Sequence, residues 1–116
     1  MKRALIITAA LLLPALAPAK AEPGISGCGQ MQALAQEHAN DMARREQLDH
    51  AGFKGRAARG ARAENVAMGH ASEGETLAQW RASSRHAANM RRGGCKGIAR
   101  AQSRSGRYYW AMVIGG

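Results

Sequence analysis

Apolar residues recur every three or four positions over one long stretch of the chain, and charged residues fill many of the positions between them. The apolar stripe consists of Met31, Leu34, Ala35, Ala39 and Met42. This spacing is typical of an amphipathic helix that buries one face. It predicts a helix from about 29 to 46, with Ser26 as its N-cap. His38 lies on the same stripe, so we expect it to be packed or hydrogen-bonded rather than to bind a metal.

The helical pattern is lost in the next part of the chain. Residues 52–63 are rich in Gly, Ala and Arg without a visible period, which predicts a long basic loop that could hold one helical turn. Residues 64–68 are predicted to form a short helix, because Gly69 follows them as a natural helix end. Glu64 would open this helix, where the helix dipole favours a negative charge.

Two further helices are predicted before the C-terminal part. Ser72 and Glu75 match a capping box, and the helix that follows would carry Trp80 to the core. A second, shorter helix is predicted over residues 85–90, with a serine of the pair 83–84 as its N-cap.

The pattern changes again toward the C-terminus. Residues 107–114 contain aromatic and branched side chains that favour strands, and residues 97–102 form a second extended run. The segment 103–106 between them is rich in Ser and Gly and predicts a turn, so the two runs are expected to form an antiparallel hairpin. Helices packed on a small antiparallel sheet make an α+β fold.

The first residues have the layout of a secretory signal peptide. A basic start precedes an apolar run over residues 4–13, and residues 19–21 offer a cleavage site between small side chains. The run is shorter than the roughly 20 residues that a helix needs to cross a bilayer. We therefore expect a leader at residues 1–21 and one secreted domain at residues 22–116, in the periplasm or outside the cell. An uncleaved anchor is the alternative.

Cationic residues outnumber acidic ones, and the formal net charge is +9. Removal of the leader takes away Lys2, Arg3 and Lys20 but no acid, which leaves +6. The arginines carry no zinc-finger or RNA-binding signature, so specific nucleic-acid binding is not expected. A solvated basic surface is one interpretation, and attraction to anionic lipid headgroups, cell-wall polymers or polysaccharide is the other.

Two cysteines, Cys28 and Cys95, remain after the leader is removed. Export favours a disulfide over two free thiols, and a domain this small gains from such a link because its core is small. The alternative, a metal-binding pair, lacks the C-x-x-C spacing of zinc sites. We therefore predict a disulfide between Cys28 and Cys95.

Five short motifs follow one another along the chain in a recognisable order. They are His38-Ala39-Asn40-Asp41-Met42-Ala43, Leu48-Asp49-His50, Glu64-Asn65-Val66-Ala67-Met68-Gly69, the stretch from Trp80 to Asn89, and Tyr108-Tyr109-Trp110. The ordered set resembles the CAP superfamily of cysteine-rich secretory proteins, antigen 5 and pathogenesis-related 1 proteins, most closely its short bacterial type. The resemblance implies a secreted, disulfide-bearing α-β-α sandwich of three to four helices on a small antiparallel sheet.

In this family a central cavity is lined by two His and two Glu, which in some members bind a divalent metal such as zinc. The resemblance places the two His at His50 and His86 and one Glu at Glu64. The second Glu is expected three residues after Trp80, where this chain has Ser83. We expect His50, Glu64, Ser83 and His86 to meet in one polar cleft, with His50 and His86 as candidate metal ligands.

Two functions use such a cleft, and a third hypothesis is a structural or toxin-like secreted factor that acts through its basic surface. The first is a secreted, non-enzymatic binding module for lipid, sterol, cell-wall or host-surface ligands. The alternative is a zinc-dependent hydrolase in which His50, Glu64 and His86 hold the metal and leave one position for a water of lowered pKa. A hydrogen-bonded His-Glu-His cluster without metal is a further arrangement that these residues allow. We expect a monomer that is not an integral membrane protein after cleavage.

Overall fold

The computed structural model describes residues 28–115, which form four helices and three strands. In chain order these are α1 (Cys28–Arg45), α2 (Phe53–Ala58), β1 (Ala61–Met68), α3 (Glu73–Arg81), α4 (Ser84–Met90), β2 (Cys95–Gln102) and β3 (Tyr108–Gly115). The predicted α+β class is confirmed. The predicted leader and the Ser26 cap lie outside the described residues.

The three strands form one antiparallel sheet in the order β1-β3-β2. β3 is the central strand and pairs with β2 through the turn at residues 103–107, so the predicted hairpin is confirmed. β1 adds to the other side of β3. Its register shifts between Ala61 and Ala63, which makes Arg62 the extra residue of a β-bulge.

Helices cover both faces of the sheet because side chains of a strand point alternately to its two sides. The α1 face of β3 buries Tyr109, Ala111 and Val113. The opposite face of β3 buries Trp110, Met112 and Ile114 against α3 and α4. Trp80 of α3 is fully buried there, as predicted, and its Nε1–H donates to the carbonyl of Val66 at 3.1 Å.

The helix α1 lies close against β2, one of the two edge strands. At Gly97 a Cβ atom would come within 2.3 Å of the Gln32 backbone nitrogen, so only glycine permits this approach. The side-chain amide of Gln32 makes two hydrogen bonds with the backbone of Ile98. It donates to the carbonyl at 2.7 Å and accepts from the N–H at 3.0 Å. A helix side chain thus occupies hydrogen-bonding positions that a further strand would use.

The segment around Glu64 differs from the sequence-based expectation. Residues 64–68 belong to β1 and not to a helix, and residues 52–63 contain α2 and the start of β1 rather than a long loop. The strand forms because pairing with β3 satisfies its backbone hydrogen-bonding groups along one side. The predicted preference of Glu64 for a helix dipole therefore does not apply.

The helix caps follow the prediction in part. Ser72 is the N-cap of α3, and its hydroxyl accepts from the backbone N–H of Glu75 at 3.3 Å. The carboxylate of Glu75 bonds the His70 ring at 3.1 Å instead of returning to the cap. Ser83 is the N-cap residue of α4, but its side chain makes no capping hydrogen bond.

The predicted disulfide between Cys28 and Cys95 is present. It joins the first residue of α1 to the first residue of β2, so it fastens the helix to the edge strand against which it packs. Within residues 28–115, no helix is both long and apolar enough to cross a membrane.

Candidate functional site

A buried carboxylate, that of Glu64 on β1, lies at the centre of the predicted cleft. One Glu64 oxygen accepts from Arg56 Nε at 2.8 Å, and the other accepts from a terminal nitrogen of Arg56 at 2.9 Å. The second oxygen also lies 2.8 Å from His50 Nδ1. An ionised carboxylate can only accept, so His50 donates its Nδ1–H. Both oxygens of Glu64 are therefore occupied by cationic or N–H donors.

Arg56 is a residue of this site that the sequence did not single out. It lies on α2, is 7 % exposed and forms a two-point ion pair with Glu64. Its terminal nitrogens also donate to the carbonyls of Ala51 at 2.9 Å and His50 at 3.4 Å. In the sequence it is one of several arginines in a region without period, and nothing there distinguishes it from its exposed neighbours.

The turn that carries His50 is fixed by hydrogen bonds from α1. Asp49 accepts from Arg45 at both carboxylate oxygens, each at 2.9 Å. The Arg45 guanidinium lowers the pKa of Asp49 to about 2, so this carboxylate is charged at neutral pH. The Asp49 side chain also accepts from the Ala51 N–H at 3.1 Å. These contacts orient the imidazole of His50 toward Glu64.

His38 supports the same turn from inside the core. Its ring is buried, and Nε2 lies 2.8 Å from the Asp49 carbonyl, which can only accept, so Nε2–H is the donor. The same nitrogen lies 3.9 Å from the nearer Glu64 oxygen. The expectation that His38 is a packed, hydrogen-bonded residue is confirmed.

Asn65 projects to the other side of the sheet from Glu64 because the two are neighbours on a strand. Its Nδ2 donates to the carbonyl of His86 at 3.0 Å, and its Oδ1 accepts from Asn89 at 3.0 Å. Asn65 is fully buried by these contacts. On β1, the side chain of Glu64 thus holds the turn that carries His50, and the side chain of Asn65 holds α4.

His86 is half-buried on α4. Burial lowers the pKa of its imidazole, and the charges of His50 and Arg85 lower that pKa further. Ser83, at the start of α4, is not among the residues that line the groove described next.

A groove of about 280 Å³ lies beside the edge strand β1. It is lined by His50, Phe53, Arg62, Ala63, Glu64, Asn89 and Arg92. Of the predicted cleft residues, the structure brings His50 and Glu64 into direct contact here. The accessible charges at the groove are those of the arginines, because the carboxylate of Glu64 is buried against Arg56.

A catalytic zinc ion is usually held by three protein ligands with one open position. Among residues 28–115, no group of three or more His, Cys, Asp or Glu is placed to hold a metal ion. The carboxylate of Glu64 is buried and forms an ion pair with Arg56, so an incoming ion would have to displace that pair. This donor set does not fit a three-ligand zinc site, and nothing in the described part of the chain favours the zinc hydrolase.

Comparison with known proteins identifies a protein family. No curated protein and no solved structure matches the chain. Residues 29–114 match the CAP domain of the cysteine-rich secretory protein family, which covers nearly all of the described fold. The chain therefore belongs to the CAP family of cysteine-rich secretory proteins.

Proposed function

We propose that this protein is a secreted, non-enzymatic binding module whose ligands are components of a cell surface, in the form of lipid, cell-wall polymer or host-surface molecule. The state of Glu64 carries the proposal. A general base or metal ligand must be reached by the substrate or the ion, and the side chain of Glu64 is 1 % exposed and already accepts hydrogen bonds from Arg56 and His50. The groove therefore offers surfaces for recognition and holds the carboxylate of Glu64 in a structural role.

The surroundings of the groove support binding over catalysis. Export is supported by the family and by the Cys28–Cys95 disulfide, since disulfides persist in oxidising compartments. The net positive charge of the chain favours encounter with anionic surfaces. The periplasm and the extracellular space are both compatible with this proposal.

Cosedimentation with isolated cell envelopes tests the binding function. The purified protein is mixed with separated membrane and insoluble cell-wall fractions, and the protein left in solution is measured across a salt series. We expect depletion by at least one fraction, weakening as salt screens the charges. Full recovery of the protein in solution with both fractions, at low and at high salt, would remove the proposal.

Zinc calorimetry tests the enzymatic alternative. Zinc is titrated into chelator-treated wild type and into the double variant His50→Ala plus His86→Ala. We expect equal, non-stoichiometric heats from both proteins, because Glu64 is already paired with Arg56. A one-to-one zinc transition in wild type that disappears in the variant would establish a site and return the hydrolase to consideration. Circular dichroism of the variant shows whether it is folded.

A further inference from the structure

We infer that the groove beside β1 binds an acidic sugar of an anionic polysaccharide, with the acid group held between Arg62 and Arg92. This inference rests on the proposed binding function and names its ligand class. It goes beyond the family assignment, which concerns the fold and not these two arginines.

The charge of the groove is the first support. Arg62 and Arg92 line it from β1 and from the end of α4, and both are exposed. Neither forms an ion pair with any residue between 28 and 115. Glu64, the one acid among the lining residues in that range, is paired with Arg56. Both arginines therefore line the same groove without an ion-pair partner in that range, and guanidinium matches the planar geometry of carboxylate.

The backbone holds both arginines in place. Arg62 is the extra residue of the β-bulge, and bulges reorient side chains next to binding sites. The backbone of Arg92 is fixed on two sides, since its N–H donates to the Asn89 carbonyl at 3.1 Å and its carbonyl accepts from Lys96 at 2.6 Å. The ammonium of Lys96 adds a third positive charge beside Arg92. The backbone positions of Arg62 and Arg92 are thus set by the bulge of β1 and by the hydrogen-bonded turn after α4.

The apolar residues of the groove lining favour a ligand whose acid group is carried by a sugar ring. Phe53 and Ala63 supply apolar surface between the polar side chains. Phe53 is half-buried, and the Arg56 guanidinium lies 5.9 Å from the centre of its ring. The flat C–H face of a sugar packs against such a surface while its acid group reaches the arginines.

A membrane surface fits the groove less well. The large apolar side chains that are exposed in residues 28–115 are Leu48 and Met68, and neither lines the groove. Adsorption to a bilayer gains strength from apolar side chains that enter the headgroup region. The groove would meet a lipid through charge alone, whereas a polysaccharide can use both the arginines and the apolar lining.

Titration with an oligogalacturonate, which carries a carboxylate on every sugar, tests the inference. Its methyl ester is the neutral control with the same sugar backbone. We expect the purified protein to bind the acid form and not the ester, and the ring resonances of His50 to shift on binding because His50 lines the groove. The double variant Arg62→Gln plus Arg92→Gln is expected to bind about tenfold more weakly, because two exposed charge contacts are lost.

The matched control removes the same charge elsewhere. Arg81 and Arg104 are exposed and lie outside the groove lining, so Arg81→Gln plus Arg104→Gln should retain most of the affinity. Equal weakening in both double variants would mean diffuse attraction and would overturn the inference. Binding to phosphatidylglycerol vesicles without binding to the oligogalacturonate would overturn it in favour of a membrane.

The envelope assay separates failure of this inference from failure of the proposed function. A protein that sediments with envelopes but ignores the oligogalacturonate keeps its binding role and loses this ligand class. A protein that binds neither loses both.

Discussion

Arg56 and Glu64 form the buried ion pair on which the local structure of the site depends. Removing two charges from water is costly, and the cost is offset here by a two-point guanidinium–carboxylate contact and by hydrogen bonds to the His50 turn. The pair joins α2, β1 and the turn before α2. The ion pair therefore helps to position the His50 ring. Because it neutralises the charge of Glu64, the surface charge of the groove comes from Arg62 and Arg92.

His86 provides a pH-dependent test of the site geometry. Its pKa in the folded protein lies below the ordinary value of 6.5, so the folded state binds this proton less tightly than the unfolded state. The free energy of unfolding should therefore fall as the pH drops through 6.5. We expect an NMR titration to show His86 protonating below 6.5, and the His50→Ala substitution to raise the pKa of His86 by removing a nearby positive charge.

His70→Ala is the matched control for this titration. His70 pairs with Glu75 and is not among the causes of the His86 shift, so its removal should leave the pKa of His86 unchanged. An unchanged pKa in His50→Ala as well would show that the two rings lie too far apart to share a site.

At the level of single residues, the sequence singled out His50 and Glu64, which are in contact, because they stand in short motifs with a family resemblance. It also singled out His86, which is not among the residues that line the groove. Arg56 could not be singled out, since its burial depends on a contact with Glu64 across a turn and a strand. Arg62 and Arg92 carry no local signal either, because only the assembled sheet shows that they share a groove.

Among the elements, α1 shows that a clear local pattern can suffice for prediction, and β1 shows that tertiary contacts can override such a pattern. The helical spacing of apolar residues continues over the whole of α1, so both ends of this helix could be predicted to within a residue. β1 contains three alanines, which do not favour strands, and its strand conformation comes from pairing with β3. A short segment followed by glycine is equally consistent with a helix when that partner is unknown. The hairpin was predictable because its second run is rich in aromatic and branched residues.

A pair of glycine substitutions tests the close packing of α1 on β2. In Gly97→Ala the new Cβ would lie 2.3 to 2.5 Å from backbone atoms of Gln32 and Met31, so the helix must shift. We expect a loss of about 1–3 kcal/mol in the free energy of unfolding, measured by chemical denaturation.

Gly55→Ala is the control with the same change in chemistry. Gly55 lies within α2, and an added Cβ there meets nothing within 4 Å. Alanine favours a helix over glycine, so this variant should gain about 0.5–1 kcal/mol. A Gly97→Ala protein as stable as wild type would mean that α1 and β2 are not in close contact.

For the whole molecule, the disulfide is the main constraint on a small core. It links residues separated by 67 positions, which restricts the unfolded chain strongly. In the chain-entropy account, a loop of this length contributes about 4 kcal/mol. The partners could be predicted from the sequence because the chain has only two cysteines.

Thermal melting with and without reductant tests this contribution. We expect Cys28→Ser to melt at a lower temperature than wild type under oxidising conditions and at the same temperature in reductant. The double variant Cys28→Ser plus Cys95→Ser should match the single variant, which shows that an unpaired thiol is not the cause. Equal melting temperatures of wild type and variants without reductant would contradict a stabilising link.

The covering of the sheet edges has a consequence for behaviour at high concentration. Gln32 and Gln36 of α1 bond the outer backbone of β2, while Trp80 and Asn89 donate to carbonyls on the outer side of β1. Exposed strand edges are templates on which a second chain can extend a sheet. Because those positions are taken by its own side chains, we expect the folded domain to resist growth into fibrils, and we expect local opening of α1 from β2 to be the step that starts such growth.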